Sequence, residues 1–71
     1  MTRQRVSSTS IRSIGYDADH QILEIEFRNG GIYQYFDVPP EEYDAVNGAA
    51  SIGRYYSKFI KPIYLKFRRV K

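Results

Sequence analysis

The segment Gln21–Gly31 constrains the fold more than any other part of the sequence. In Gln21–Arg28 apolar side chains alternate with polar ones, which is typical of a strand with one face in the core and one in water. Asn29-Gly30-Gly31 follows, and Asn-Gly between two β-rich runs is a strong hairpin signal. The sequence therefore predicts an antiparallel hairpin whose second strand ends near Val38, before the two prolines that follow it.

The length of the hairpin loop decides which way the second strand faces, because a one-residue slip reverses both faces of a strand. A two-residue loop pairs Ile25 with Gln34 and turns Gln34 into the core. A three-residue loop instead pairs Ile25 with Tyr35 and leaves Gln34 in water. Burying an unpaired amide costs about 1–3 kcal/mol. We therefore favour the second register, in which Tyr33 and Tyr35 lie mainly in the core.

Two further strands and two short helices are expected around the hairpin. The first strand covers Ser10–Tyr16, and the last covers Ile63–Val70. One helix begins at Pro40 and ends at Asn47-Gly48, and the next has Ser51 as its N-cap and ends before Pro62. The predicted fold is α+β, a small antiparallel sheet of about four strands in the order β-β-β-α-α-β. Residues 10–71 form the single domain, after a flexible N-terminal tail over residues 1–9.

Aromatic side chains must supply much of the small core of a 71-residue chain, which has seven Tyr and four Phe. Tyr56 and Phe59 share the apolar face of the second helix, and Phe67 lies on the apolar face of the last strand. These three rings are expected in the core. Tyr64 lies on the other face of the last strand and is expected to be the most exposed ring of the C-terminal part.

The charges are unevenly placed along the chain. All eight acidic residues lie between Asp17 and Asp44, although the net charge is only +3. From Ala45 to the C-terminus there is no acidic residue but there are seven basic ones. The seven are Arg54, Lys58, Lys61, Lys66, Arg68, Arg69 and Lys71. Such asymmetry indicates a polyanionic partner or, alternatively, a solvated basic face without a ligand.

The sequence offers few groups for catalysis or metal binding. It has no Cys, which excludes Cys-based metal sites and thiolate nucleophiles. The single histidine, His20, lies with Asp17 and Asp19 in a segment typical of a turn. A serine nucleophile needs a base that a third group orients, and nothing assigns that role to His20. We therefore predict a protein that is not an enzyme and that uses no metal and no cofactor.

No apolar run approaches the ~20 residues that a membrane span requires. A cytoplasmic location without membrane attachment is therefore the expectation, and the absence of Cys suits a reducing compartment.

Several segments resemble one known family, the KTSC domain, which is named for the C-terminus of some lysyl-tRNA synthetases. They are Ser10–Asp17, the hairpin Phe27–Pro39 with its Tyr-x-Tyr motif at Tyr33 and Tyr35, Gly53–Tyr56 and the closing basic strand. The resemblance covers roughly Ser8 to Val70. It implies a stand-alone form of a domain for which RNA binding has been suggested because of its attachment to synthetases. It implies no synthetase activity.

These observations predict a small binding module whose C-terminal basic surface binds RNA, either single-stranded or tRNA-like. Basic side chains that follow phosphates and rings that stack on bases are the usual means of holding single strands. The candidate contact residues are Arg54, Lys58, Lys61, Tyr64, Lys66, Arg68 and Arg69. Tyr33 and Tyr35 are expected to be framework. The alternative is a protein-interaction module that binds an acidic partner or forms a homodimer through a strand edge, although a monomer is expected.

Overall fold

Alternating apolar side chains form one face of a five-stranded antiparallel sheet whose strands lie side by side in chain order. The computed structural model describes the whole chain, Met1–Lys71. Its elements are β1 (Arg3–Arg5), β2 (Ile11–Asp17), β3 (Ile22–Phe27), β4 (Ile32–Tyr35), α1 (Pro40–Asn47), α2 (Ile52–Tyr55), a π-helical turn (Tyr56–Ile60) that continues α2, and β5 (Phe67–Arg69). The predicted α+β class is confirmed, with one strand more than expected.

The helices cover the apolar face of the sheet, and the core lies between them. Pro40 occupies the first turn of α1, and the Ser51 hydroxyl accepts the N–H of Arg54 at 3.3 Å to cap α2, both as predicted. The core cluster of buried apolar residues is Ile11, Ile14, Leu23, Ile25, Tyr35, Val38, Val46, Ile52 and Ile60. Neither helix combines the length and the apolar character needed to cross a membrane.

The β3–β4 hairpin presents the predicted side chains to the core, although its strand pairing differs from the predicted register by two residues. Ile25 pairs with Tyr33, and Leu23 pairs with Tyr35. The loop is Arg28–Gly30, closed by a 2.8 Å bond from the Phe27 N–H to the Gly31 carbonyl, and Gly30 has a φ of 97° that favours glycine. The loop therefore starts one residue earlier than expected. Because the shift is even, both tyrosines still lie on the core face.

The N-terminal segment differs from the flexible tail expected over residues 1–9, because it contains β1. Arg3 pairs with Gly15 of β2, and Arg5 pairs with Ser13. Gly15 makes the close approach possible, since a Cβ there would lie 2.7 Å from the Thr2 carbonyl oxygen and 2.9 Å from the Arg3 Cγ. A local pattern could not predict this strand, because its partner lies ten residues further along the chain.

The face of the sheet away from the helices carries a row of polar contacts across its strands. The Arg3 side chain crosses Gly15 and binds the Glu24 carboxylate, which is almost buried at 6% exposure. Gln34 donates to the other Glu24 oxygen at 2.8 Å, and Arg68 of β5 donates to Gln34 at 3.4 Å. This row links strands from one edge of the sheet to the other.

The π-helical turn alters which residues of the second helix face the core. The Lys61 N–H bonds to the Tyr56 carbonyl at 2.9 Å, five residues back, so the turn holds one residue more than an α-helical turn. Ile60 consequently takes the inward position that Phe59 would occupy in a regular helix. Phe59 is 45% exposed, and its predicted place in the core is wrong.

The C-terminal strand is shorter than the predicted Ile63–Val70, because it begins only at Phe67. The residues before Phe67 therefore do not alternate between the two faces of the sheet. The Tyr64 N–H bonds to the Ile60 carbonyl, which continues the helical turn and directs Tyr64 toward the core. Tyr64 is therefore half-buried, and the expectation of an exposed ring is wrong. Ile63 and Leu65 are exposed instead.

Candidate nucleic-acid interface

Five aromatic rings line a groove between the π-helical turn and the β3–β5 part of the sheet. The groove has a volume of about 480 Å³ and is lined by Phe27, Asn29, Tyr33, Tyr35, Tyr56, Lys61 and Phe67. The strands present Phe27, Tyr33, Tyr35 and Phe67 on the core face, at the end of the sheet that the helices leave open. We call this the aromatic groove.

The rings of the aromatic groove support one another through direct contacts. Phe27 lies edge to face with Tyr33 and with Tyr56, at centroid distances of 5.7 and 5.2 Å. Tyr35 stacks on Phe67 at 5.5 Å, and its hydroxyl shares a hydrogen bond with that of Tyr56. Burial raises the pKa of Tyr35 and of Tyr56, so both hydroxyls are neutral at physiological pH. The base of the groove is thus rigid and uncharged.

Phe67 supplies the accessible ring of the groove. It is 52% exposed, so the expectation that it is a core residue is wrong. Its position on β5, opposite Tyr35 of β4, follows from the strand pairing. About half of the Phe67 surface is therefore accessible to a ligand.

Positive charge borders the aromatic groove. The Arg69 guanidinium lies 5.7 Å from the centroid of the Tyr33 ring, and Lys61 is one of the lining residues. No lining residue is acidic. Stacking surfaces beside unopposed cations are the combination that single-stranded nucleic acids require.

Two other predicted contact residues, Arg54 and Lys58, lie at a separate cavity. Its volume is about 730 Å³, and it is lined by Ser7–Ser10, Arg28, Ala50–Arg54, Ser57 and Lys58. We call it the serine cavity. The structure therefore divides four of the seven predicted residues between two sites, with Lys61 and Arg69 at one and Arg54 and Lys58 at the other.

The remaining predicted residues line neither the aromatic groove nor the serine cavity. The Tyr64 hydroxyl donates to Glu42 of α1 at 3.0 Å, and burial together with this bond raises the pKa of Tyr64 to about 12. Lys66 lies 3.4 Å from Asp37 in an exposed ion pair. Arg68 lies on the opposite face of the sheet, beside Gln34. The single basic surface predicted from the sequence is thus not continuous.

The sequence did not predict the aromatic groove, nor that Phe27 and Asn29 line it and Arg28 lines the serine cavity. Alternation did place Phe27, Tyr33 and Tyr35 on one face. Whether a ring on that face is core or groove depends on how far the helices extend over the sheet, which alternation does not encode. Tyr35 is buried in the core and Tyr33 packs against it, and both also line the groove.

Comparisons with known proteins identify the relatives of this chain. A family model described as the KTSC domain matches residues 7–64. An uncharacterized protein of Stutzerimonas stutzeri is 43% identical over 70 residues, which cover 99% of both chains. The crystal structure of a KTSC domain protein from Yersinia pestis has a TM-score of 0.93 and 44% identity, and the match covers 99% of this chain and 97% of that one.

Longer proteins contain a similar segment. The lysine–tRNA ligase of Nostoc punctiforme is 41% identical over 51 residues, which are 72% of this chain but 9% of the ligase. The likeness to the ligase is thus confined to a small part of that protein, whereas the matches to the small proteins are end to end. The family match over most of the sequence, together with the full-length relatives, shows that this chain belongs to the KTSC domain family.

Proposed function

We propose that this domain binds single-stranded RNA, with bases stacked in the aromatic groove and phosphates beside Lys61 and Arg69. The observation that carries the proposal is the juxtaposition of an accessible ring, Phe67, with a guanidinium over the neighbouring Tyr33. A stacked base contributes ~1–3 kcal/mol, and any base can provide the π-face. The groove therefore suits a strand of loosely defined sequence.

RNA is favoured over DNA by the relatives. Proteins named lysine–tRNA ligase carry a segment similar to this chain, which supports RNA as the ligand by association. A labelled oligouridylate and the corresponding oligodeoxythymidylate are the two probes that compare them. Tighter binding of the DNA probe would contradict this choice.

Arg68 and Arg69 offer a matched pair of variants, because neighbouring residues of β5 lie on opposite faces of the sheet. Arg69→Ala removes one of the two cations beside the aromatic groove, whereas Arg68→Ala removes one that lies beside Gln34. We expect Arg69→Ala to weaken oligouridylate binding and to reduce the slope of log affinity against log salt by about 0.7, the value for one phosphate contact. Fluorescence anisotropy at several salt concentrations measures both quantities.

The Arg68→Ala variant should bind as the wild type does. Failure of the wild-type domain to bind the probe at low salt, or equal losses in the two variants, would show that RNA does not bind in this groove.

A protein partner is the second candidate, because Ile63 and Leu65 are exposed next to the open edge formed by β5. Exposed apolar side chains beside an unpaired strand edge suit β-strand addition by a second chain. A mass that rises with concentration in analytical ultracentrifugation, and that Leu65→Lys returns to the monomer value, would support this candidate. A constant monomer mass at all concentrations would exclude the homodimer.

A further inference from the structure

The serine cavity has the charge and hydrogen-bonding groups of a phosphate site. Three cations line it, Arg28, Arg54 and Lys58, and no acidic residue does. None of the three forms an ion pair elsewhere in the molecule. The hydroxyls of Ser8, Ser10 and Ser57 share the lining. Positive charge without a protein counter-ion, surrounded by hydroxyl donors, is suited to an oxyanion.

The exposed Arg28 side chain is oriented at this cavity by one hydrogen bond. Its Nε donates to the Ser8 carbonyl at 2.8 Å, which leaves the two terminal nitrogens of the guanidinium available. The Ser8 hydroxyl oxygen in turn accepts the backbone N–H groups of Ser10 and Ile11, at 3.3 and 3.2 Å. Its own proton remains free to be donated. A fixed guanidinium fork is the usual means of binding phosphate in a defined orientation.

Glycine at position 53 lets α2 lie against the segment that contains Ser8 and Ser10. A Cβ at Gly53 would lie 2.8 Å from the Ser10 hydroxyl oxygen and 3.5 Å from that of Ser8. The absence of a side chain therefore allows α2 to approach this segment, and it places Arg54 and Lys58 at the same cavity as Arg28. A side chain at position 53 would require the Ser10 hydroxyl to move.

The serine cavity adjoins the aromatic groove in the hairpin loop of β3 and β4. Arg28 lines the serine cavity, and its chain neighbours Phe27 and Asn29 line the aromatic groove. In the π-helical turn, Ser57 lines the serine cavity and its neighbour Tyr56 lines the aromatic groove. A single strand with a base in the groove can therefore place a phosphate of the same or an adjacent nucleotide in the cavity.

We propose that the serine cavity binds a phosphate group of the RNA strand whose bases stack in the aromatic groove. The identity of the ligand as RNA rests on the function proposed above, whereas the affinity for phosphate follows from the cavity itself. The group is either a terminal phosphate monoester or an internal diester, both of which present negatively charged non-bridging oxygens.

Inorganic phosphate tests the cavity without RNA. Its addition to the isotope-labelled domain, compared with chloride at equal ionic strength, should shift the amide signals of Ser8, Gly53 and Arg54 in NMR spectra. The double variant Arg54→Gln/Lys58→Gln should lose these shifts. The control Arg5→Gln/Lys66→Gln removes the same charge at positions outside the cavity and should keep them. Shifts no larger than those with chloride, or equal shifts in both double variants, would overturn the inference.

Oligouridylates with a 5′-phosphate and with a 5′-hydroxyl distinguish the two sources of phosphate. If the cavity takes a terminal monoester, the wild type binds the phosphorylated strand more tightly, and the cavity variant loses that preference. If it takes an internal diester, the cavity variant, which lacks two of the cations, binds both strands at least about tenfold more weakly than the wild type. Either pattern supports the proposal.

The outcomes also separate this inference from the proposed function. RNA affinities that are equal in the cavity variant and in its control would refute the placement of an RNA phosphate in the serine cavity and leave the aromatic groove unaffected. Phosphate-dependent shifts in a domain that binds no RNA would refute the proposed function and leave the phosphate site in place.

Discussion

Phe67 and Phe59 are exposed to a similar degree, 52% and 45%, but only Phe67 lines the aromatic groove. Phe59 packs beside Tyr55 on the helix instead, with ring centroids 4.7 Å apart. Both rings were predicted to be core residues from their spacing. Spacing gives the face on which a residue lies, whereas exposure depends on the extent of the neighbouring element and, for Phe59, on the π-helical turn.

The two phenylalanines provide a residue-level prediction. Phe67→Ala should weaken RNA binding by about 1–3 kcal/mol because it removes a stacking surface. Phe59→Ala should leave the affinity unchanged, and its half-exposed ring makes the stability cost comparable to that of Phe67→Ala. Anisotropy titrations of both variants measure the difference. An equal loss of affinity in the two would place the bound base outside the groove.

The strands and helices with local signals were predicted well. The alternation of β3, the hairpin turn, the prolines before α1 and the Ser51 cap all act within a few residues of the chain. β1 carries no such signal, because Arg3–Arg5 is uniformly polar and pairs only where Gly15 gives it room. The faces predicted for the C-terminal segment were wrong for a related reason. The helical turn extends as far as Tyr64, so the strand begins later in the chain than predicted.

The ion pair between Arg3 and Glu24 should hold β1 on the sheet. Arg3→Ala leaves the almost buried carboxylate without its cation, and we expect the free energy of unfolding to fall by about 2 kcal/mol. Arg5→Ala, in the same strand but exposed and without an ion pair, should change it by less than about 0.5 kcal/mol. Urea denaturation followed by circular dichroism measures both values.

A double variant checks the cause of the Arg3 effect. Glu24→Gln added to Arg3→Ala removes the unpaired buried charge and should restore part of the lost stability. Strictly additive losses would mean that Arg3 stabilises β1 by some other contact.

The whole molecule should lose stability at alkaline pH, because the fold favours the neutral form of several tyrosines. The pKa is raised in Tyr16, Tyr35, Tyr55, Tyr56 and Tyr64. Burial is the main cause for all but Tyr55, where the hydrogen bond to Glu42 is the main cause. Glu42 accepts bonds from both Tyr55 and Tyr64, so this one carboxylate joins α1, α2 and the C-terminal segment.

The sign of the pH effect follows from these shifts. An unfolded tyrosine loses its proton near pH ~10, whereas folded Tyr64 retains it until about pH 12. The unfolded chain therefore binds fewer protons in this window, and the free energy of unfolding falls as pH rises through it. Tyr64→Phe should cost about 1 kcal/mol at neutral pH for the lost hydrogen bond and should make the alkaline fall shallower.

Urea denaturation at pH values from neutral to alkaline measures the two curves. Arg5→Ala, at an exposed position of β1, should retain the wild-type pH dependence. A Tyr64→Phe curve parallel to that of the wild type would show that Tyr64 does not contribute to the alkaline loss.

The strand that carries Phe67 and Arg69 is bonded to β4 alone, is three residues long and has every residue exposed. Such an edge opens locally at a lower free energy than the rest of the fold requires for unfolding. One wall of the aromatic groove can therefore detach while the core stays intact. A ligand that contacts both Phe67 and Tyr33 binds only the form in which this edge is closed. Its measured affinity is therefore the affinity of the closed form multiplied by the fraction of molecules in that form.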